Sequence, residues 1–89
     1  MKNLANFLVE EVVLVEGIGL VLTGQTLNGV IVAGMKTNVM GKEIEIFEIK
    51  LNKEKAEAAN VGQKAELIFK KNPLKKEEMK RGAILTFYN

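Results

Sequence analysis

The sequence predicts an all-β fold, a small closed antiparallel barrel of six or seven short strands. Val and Ile are abundant, and apolar residues alternate with polar ones over short spans, which is typical of strands with one buried face. Glycines recur between these spans, where tight turns are expected. A chain of 89 residues suffices for one small domain, so we expect residues 1–89 to form a single barrel.

The first half of the chain predicts a hairpin and then shorter strands. Glycines in the segment Glu16–Gly19 can adopt positive φ and favour a turn there. Gly24 indicates a bulge or a close backbone approach, and Asn28-Gly29 is the strongest turn signal in the chain. Strands are therefore expected over residues 7–15, 20–26 and 36–40, with a short apolar run at 30–32.

Residues 43–51 alternate well, but the phase of the alternation slips. Ile44 and Ile46 share one face, whereas Phe47, Ile49 and Leu51 share the other. A bulge of one residue near Ile46-Phe47 would restore a common face, as barrels often require.

The second half predicts two short helical pieces between strands. Residues 53–59 favour a helix by propensity alone, over at most a turn or two. Residues 65–69 alternate as a half-buried strand, and Pro73 interrupts the pattern. A helical turn at 74–80, ended by Gly82, leads to the last strand at 83–88.

The composition excludes several chemistries. The chain has no Cys, His or Asp, so it offers no thiolate nucleophile, no imidazole base and no Cys- or His-based metal site. Gly17-x-Gly19 lacks the third glycine of a dinucleotide loop, because Leu22 stands there. Glu10 and Glu11 are adjacent on a strand and face opposite sides, which does not suit paired carboxylate catalysis. We expect a non-enzymatic protein without nucleotide, cofactor or metal.

The bulky apolar and aromatic side chains are expected mainly in the core. Tyr88 is the one candidate for stacking on a nucleic-acid base. The three internal methionines and the four phenylalanines are predicted to fill the barrel: Met35, Met40, Met79, Phe7, Phe47, Phe69 and Phe87.

The charge is uneven along the chain. Residues 1–48 carry a net −3 and residues 49–89 a net +5, with the densest basic stretch at 70–81. Such asymmetry can mark a surface for polyanions, although lysines that only solvate a loop are the commoner explanation. No signal peptide and no membrane-spanning run is recognisable, which predicts a cytoplasmic protein without a membrane role.

Two stretches of sequence carry a resemblance to a known family. The first is Phe7-x-Val9-Glu10-Glu11-Val12-x-x-Val15-x-Gly17-x-Gly19-x-Val21-x-Thr23-Gly24, followed by Gly29-x-Ile31-x-x-Gly34. The second runs from Asn52-Lys53 through Val61-Gly62 to Lys80-Arg81-Gly82-Ala83. Together they resemble domain 2 of the translational GTPases, of the elongation factor Tu and selenocysteine-specific type, over residues 7–86. The resemblance implies a six-stranded Greek-key barrel.

The resemblance also implies candidate site residues. In the elongation factor, this domain holds the aminoacylated 3′ end of tRNA and touches the small ribosomal subunit. The family's acidic residue falls on Glu10. Its arginine after the fourth strand falls on Lys53, and its asparagine after the Ala-Gly turn falls on Lys64. Its arginine between the turn glycines falls on Ile18, where the charge is lost, and the Arg-Gly of its Leu-Arg-Gly ending falls on Lys70-Lys71.

The first hypothesis is a stand-alone barrel that binds tRNA or rRNA, without catalysis. The clustered basic residues would contact phosphates with little sequence preference. The residues expected to bind RNA are Glu10, Lys53, Lys64, Lys70, Lys71, Lys75, Lys76, Lys80 and Arg81. The alternative is a protein-interaction module that docks on a translation GTPase or another protein, in which the lysines only solubilise the surface.

Overall fold

The structure is a computed structural model and describes residues 4–70 and 79–89. These residues contain no α-helix, in agreement with the predicted all-β class, and none of them belongs to a helix able to cross a membrane. The described strands are β1 (Leu4–Val15), β2 (Gly19–Asn28), β3 (Ile31–Val32), β4 (Lys36–Val39), β5 (Lys42–Glu45), β6 (Glu48–Leu51), β7 (Glu54–Ala56), β8 (Ala58–Ala59), β9 (Lys64–Phe69) and β10 (Ile84–Tyr88).

Eight of these strands form one curled antiparallel sheet. Their order is β5-β4-β10-β1-β2-β9-β6-β7, and the short strands β3 and β8 pair separately. The strands β5 and β6 are two halves of one extended segment, of which the first half pairs with β4 and the second with β9. Because β4 and β9 lie toward opposite edges of the sheet, this segment joins the edges and closes the sheet into a barrel.

The barrel has the connectivity of a Greek key. With β5 and β6 counted as one, six of the described strands form the wall: β1, β2, β4, β5–β6, β9 and β10. The consecutive strands β4, β5–β6 and β9 are neighbours, and β2 lies on the other side of β9. Three hairpin-connected strands with a fourth returning beside one end define this motif. The predicted six-stranded Greek-key barrel is therefore confirmed.

The inward faces of the strands form one aromatic and aliphatic core. The rings of Phe7, Phe69 and Phe87 are fully buried. Phe87 meets Phe7 edge-on and stacks on Phe69, with a separation of 6.3 Å between centroids in both pairs. Both geometries suit the quadrupoles of aromatic rings, so these contacts add to the free energy gained from burial.

The phase slip in residues 43–51 is absorbed by an irregularity at Ile46-Phe47, as predicted, but Phe47 itself does not face the core. The chain leaves β5 and enters β6 at Ile46-Phe47, and Ile44, Ile46 and Ile49 are all buried. Two residues separate Ile46 from Ile49 instead of one, so the extra residue restores a common inward face. The prediction of a core position for Phe47 was wrong, because its side chain lies outside the barrel and is 52% exposed.

The helix predicted over residues 53–59 was wrong, because β7 and β8 occupy that stretch. Asn52 and Lys53 both have positive φ, at 52° and 67°, and turn the chain back so that β7 pairs with β6. Sheet pairing outweighs helix propensity in a segment this short. The helical turn predicted at 74–80 lies mostly outside the described residues, and Met79 and Lys80 are not helical.

The predicted core positions of the internal methionines hold for two of the three. Met35 and Met79 are buried, as predicted. Met40 was predicted wrongly and is 73% exposed. It has a φ of 51° and lies in the turn between β4 and β5, beyond the end of the strand whose buried side chains reach the core.

Candidate nucleic-acid interface

The candidate site is built around a β-bulge at Glu10. In the pairing of β1 with β2, Val9 lies opposite Gly24 and Glu11 lies opposite Thr23, so Glu10 is an extra residue without a partner on β2. A bulge turns the side chain of the extra residue away from the regular alternation. Gly24 makes this arrangement possible, because a Cβ there would overlap the carbonyl oxygen of Leu8. The glycine signal of the sequence therefore marked the bulge correctly.

Glu10 brings two basic side chains together. The Lys64 ammonium lies 3.8 Å from Glu10 Oε1, and Arg81 Nε donates a hydrogen bond of 2.9 Å to the Glu10 carbonyl. The strand β9 supplies Lys64 at its first position. Backbone hydrogen bonds of Gly82 and Ala83 with Val9 hold the segment that carries Arg81 against β1. We call Glu10, Lys64 and Arg81 the Glu10 cluster.

Lys53 and Lys80 lie near the same end of the barrel. The pairing of Lys50 with Glu66, continued along the two strands, places Asn52 level with Lys64 and Lys53 one residue beyond it. Lys80 precedes Arg81, and both lysines are exposed. No contact joins either lysine to the Glu10 cluster among the interactions of the described residues, so they extend the basic surface without bracing the cluster.

Lys70 belongs to a different part of the surface. It follows β9, six residues beyond Lys64 along the same outward row, which corresponds to about 20 Å. Its ammonium lies 4.6 Å from the centroid of the Phe47 ring. Three further candidates, Lys71, Lys75 and Lys76, lie outside the described residues.

The charges between these two groups are mixed. Glu66 lies between Lys64 and Lys70 on the outward face of β9 and opposite Lys50 on β6. Lys50 in turn lies 4.0 Å from the Glu48 carboxylate. The candidate basic residues that the structure describes thus form two groups, with acidic and paired charges between them, rather than one continuous face.

A cleft adjoins the Glu10 cluster. It has a volume of about 350 Å³ and is lined by Glu11, Val12, Met79 and Arg81. Within residues 4–70 and 79–89, no group of three acidic side chains is close enough to hold a metal ion. The polar chemistry at the cleft consists of the Glu11 carboxylate and the Arg81 guanidinium, which suit hydrogen bonding and ion pairing.

The aromatic surface differs from the one expected. The Tyr88 hydroxyl donates a hydrogen bond of 2.7 Å to Glu43 Oε2, and the side chain is half-buried. This hydrogen bond, partial burial and the negative charge of Glu43 raise the pKa of Tyr88 above its ordinary value. The exposed aromatic ring that the sequence reading missed is Phe47. The slip of phase at Ile46-Phe47 was the signal that could have placed it outside.

Comparison with solved structures shows that this barrel has the same fold as one domain of two translation elongation factors. A bacterial selenocysteine-specific elongation factor matches 93% of the chain at a TM-score of 0.78 and 21% identity. The translation elongation factor SelB from Methanococcus maripaludis matches the same share at a TM-score of 0.81 and 21% identity. The chain spans only 14% and 18% of those proteins. No protein-family model matches the chain, and no curated protein matches it.

Proposed function

We propose that this barrel is a non-catalytic, cytoplasmic RNA-binding protein of translation that contacts tRNA or rRNA through the Glu10 cluster. The observation that carries the proposal is the convergence of Lys64 and Arg81 on Glu10, the position where the resembled family has its acidic residue. Arginine and lysine side chains supply the phosphate contacts on which RNA affinity depends.

The geometry supports a role for the bulge in arranging this site. Glu10 holds Lys64 by charge, while its backbone carbonyl holds the Nε of Arg81. The remaining N–H donors of the guanidinium can bind a phosphate oxygen or a sugar hydroxyl. The Glu10 carboxylate can accept a hydrogen bond from a ribose 2′-hydroxyl, the group that distinguishes RNA from DNA.

The direct test is binding of tRNA and of rRNA fragments at two salt concentrations. We expect affinity at low salt that falls steeply as salt rises, since each phosphate contact releases counterions. Replacement Lys64→Gln should weaken binding of all sequences and lower the salt slope by about one. Lys42→Gln is the control, because Lys42 begins β5 at the turn with β4 and pairs with Val39, and β5 does not pair with β9 in the described sheet. An absence of binding to either RNA at low salt would refute the proposal.

Lys53→Gly offers a variant in which stability and binding change in opposite directions. Lys53 has a φ of 67°, a conformation that glycine adopts without strain. Removal of this lysine should therefore raise the free energy of unfolding by about 1 kcal/mol while it weakens RNA binding. Loss of affinity in a more stable protein cannot be ascribed to unfolding.

Docking on another protein is the second candidate, and exposed apolar residues of the β1–β2 hairpin favour it. Val13, Leu14 and Ile18 each expose 41% or more of their surface. Such side chains recur at protein interfaces when they form a patch. Docking would be supported by a protein partner that stays bound after nuclease treatment and no longer binds the Leu14→Ser variant. Retention of that partner in Leu14→Ser would argue against docking through this hairpin.

A further inference from the structure

Phe47 differs from the other phenylalanines of the chain. Phe7, Phe69 and Phe87 are fully buried, whereas 52% of Phe47 is exposed. Its backbone N–H donates a hydrogen bond of 2.8 Å to the Ile68 carbonyl, at the point where the chain passes from β5 to β6. The ring is therefore presented by the barrel wall and not by a free loop, so little conformational entropy would be lost when a ligand covers it.

The backbone of Phe47 adjoins a second apolar row, which lies on the outside of the barrel. The strand register places Val13, Val21 and Ile68 side by side across β1, β2 and β9. Val21 and Ile68 are only 8% and 9% exposed, yet neither belongs to the core cluster. Phe47 is hydrogen-bonded to this row through Ile68, and the Lys70 ammonium lies over its ring. We call Phe47 and Lys70 the Phe47 platform.

We propose that the Phe47 platform stacks an unpaired base of single-stranded RNA while Lys70 contacts the adjoining phosphate. This inference rests on the proposed RNA-binding function and assigns part of it to a second place on the surface. Stacking on an exposed aromatic ring accepts any base, since every base has a π-face. The Lys70 ammonium over the ring suits a phosphate, which an apolar protein segment does not offer, so the base would stack on the opposite face of the ring.

The position of the platform fits a strand that also reaches the Glu10 cluster. Lys64 and Lys70 lie on the outward row of β9, separated by about 20 Å. A few nucleotides of extended strand can cover this distance and would pass beside Glu66. A rigid duplex cannot present an unstacked base to Phe47, so the platform should favour single strands.

The chain contains no Trp, which permits a direct optical test. In Phe47→Trp, the new indole is the single tryptophan of the protein and can stack as the phenyl ring does. We expect oligoadenylate and oligouridylate to quench its fluorescence, and a duplex of the same length to quench it much less. Bound oligonucleotide without quenching would overturn the inference.

Removal of the ring tests how much stacking on Phe47 contributes to the affinity for single-stranded RNA. Phe47→Leu keeps an apolar side chain and should lower the affinity for oligoadenylate about tenfold, without altering the affinity for duplex RNA. Lys70→Gln should lower the salt slope by about one, and Lys42→Gln, at the other end of β5 from Phe47, should leave it unchanged. Unaltered single-strand affinity in Phe47→Leu would overturn the platform even if Lys64→Gln still weakens RNA binding. If the unmodified protein binds no RNA, both the proposed function and the proposed role of the Phe47 platform fail.

Discussion

At the scale of single residues, Gly24 illustrates how closely two strands approach. Its neighbours are the Leu8 carbonyl and the edge of the Phe7 ring, at a place where β1 is bulged. Backbone atoms cannot move aside as a flexible side chain can. Even the methyl group of an alanine at position 24 would therefore force β1 and β2 apart.

We expect Gly24→Ala to lower the free energy of unfolding by about 3 kcal/mol, the upper range for overpacking. Gly17→Ala is the control, because a Cβ at Gly17 meets no atom within 4 Å and only the strain of its φ of 83° opposes it. That control should cost about 1 kcal/mol. Denaturant titration measures both variants, and equal losses would contradict the steric account.

Tyr88 provides a pH-dependent prediction at the same scale. The Glu43 carboxylate accepts its hydrogen bond and so raises the pKa of the phenol above about 10. A pKa raised by folding stabilises the protein below the unfolded value, and this contribution is lost as the pH rises through the folded value. Tyr88 therefore contributes to stability at neutral pH, and this contribution is lost at alkaline pH.

Because the chain has one tyrosine, the ultraviolet absorbance of tyrosinate reports on Tyr88 alone. We expect Glu43→Gln to lower its pKa toward about 10, since the negative charge is removed. Glu45→Gln removes a neighbouring charge from the same strand and should change the titration much less. A pKa that does not respond to Glu43→Gln would contradict the assigned cause.

At the scale of elements, the junction of β4 with β10 depends on a side chain. The register between these strands contains the pair Tyr88 and Lys36. The buried hydroxyl of Thr37 adds a hydrogen bond of 2.8 Å to the carbonyl of Thr86. Loss of this donor leaves a carbonyl without its partner inside the barrel wall.

Thr37→Val keeps the shape of the side chain and should lower the free energy of unfolding by about 1–2 kcal/mol. Thr86→Val is a matched control, because the Thr86 hydroxyl donates to Asn6 Oδ1 at the exposed surface, where water can replace it. The control should change stability by less than about 0.5 kcal/mol. Thermal and denaturant unfolding of the two variants would distinguish these outcomes, and similar losses would contradict the role of Thr37.

The elements also show where sequence reasoning succeeds. The hairpin of β1 and β2 followed from alternation and turn glycines, both of which act over a few residues. The stretch 53–59 has the propensity of a helix but forms the strands β7 and β8. A tight turn pairs β7 with β6, and β8 pairs with β3, which is distant in sequence. Propensity summed over seven residues is too weak to oppose such pairing.

At the scale of the whole molecule, one core supports the barrel. A chain of this length buries only about 60–65% of its unfolded surface, so each large core residue carries much of the stability. Phe87 lies on the last strand and contacts the rings of both Phe7 and Phe69. It therefore links the beginning and the end of the described chain through the core.

We expect Phe87→Ala to lower the free energy of unfolding by about 3–5 kcal/mol, which approaches the total stability of many small domains. Phe47→Ala removes the same atoms from an exposed site and should cost less than about 0.5 kcal/mol. Circular dichroism during thermal unfolding measures this contrast. Comparable losses in both variants would contradict the assigned burial.

The candidate site was predicted residue by residue but not as an arrangement. Glu10, Lys64 and Arg81 were all singled out, and the structure brings them together; the contact between positions 10 and 81 spans 71 residues of sequence. Lys70 was grouped with them, yet it lies at the other end of β9. Whether any of these residues binds RNA stays a prediction.

The sequence by itself determined the class of fold, because alternation and turn glycines act locally and leave few ways to bury one face of each strand. Tertiary structure alone decided which of the equivalent-looking side chains face water. Phe47 and Phe69 both occur in apolar alternating strands, but closure of the barrel inserts one residue at Ile46-Phe47 and turns Phe47 outward. That choice depends on pairing with β4 and β9 at once, a condition that no local pattern contains.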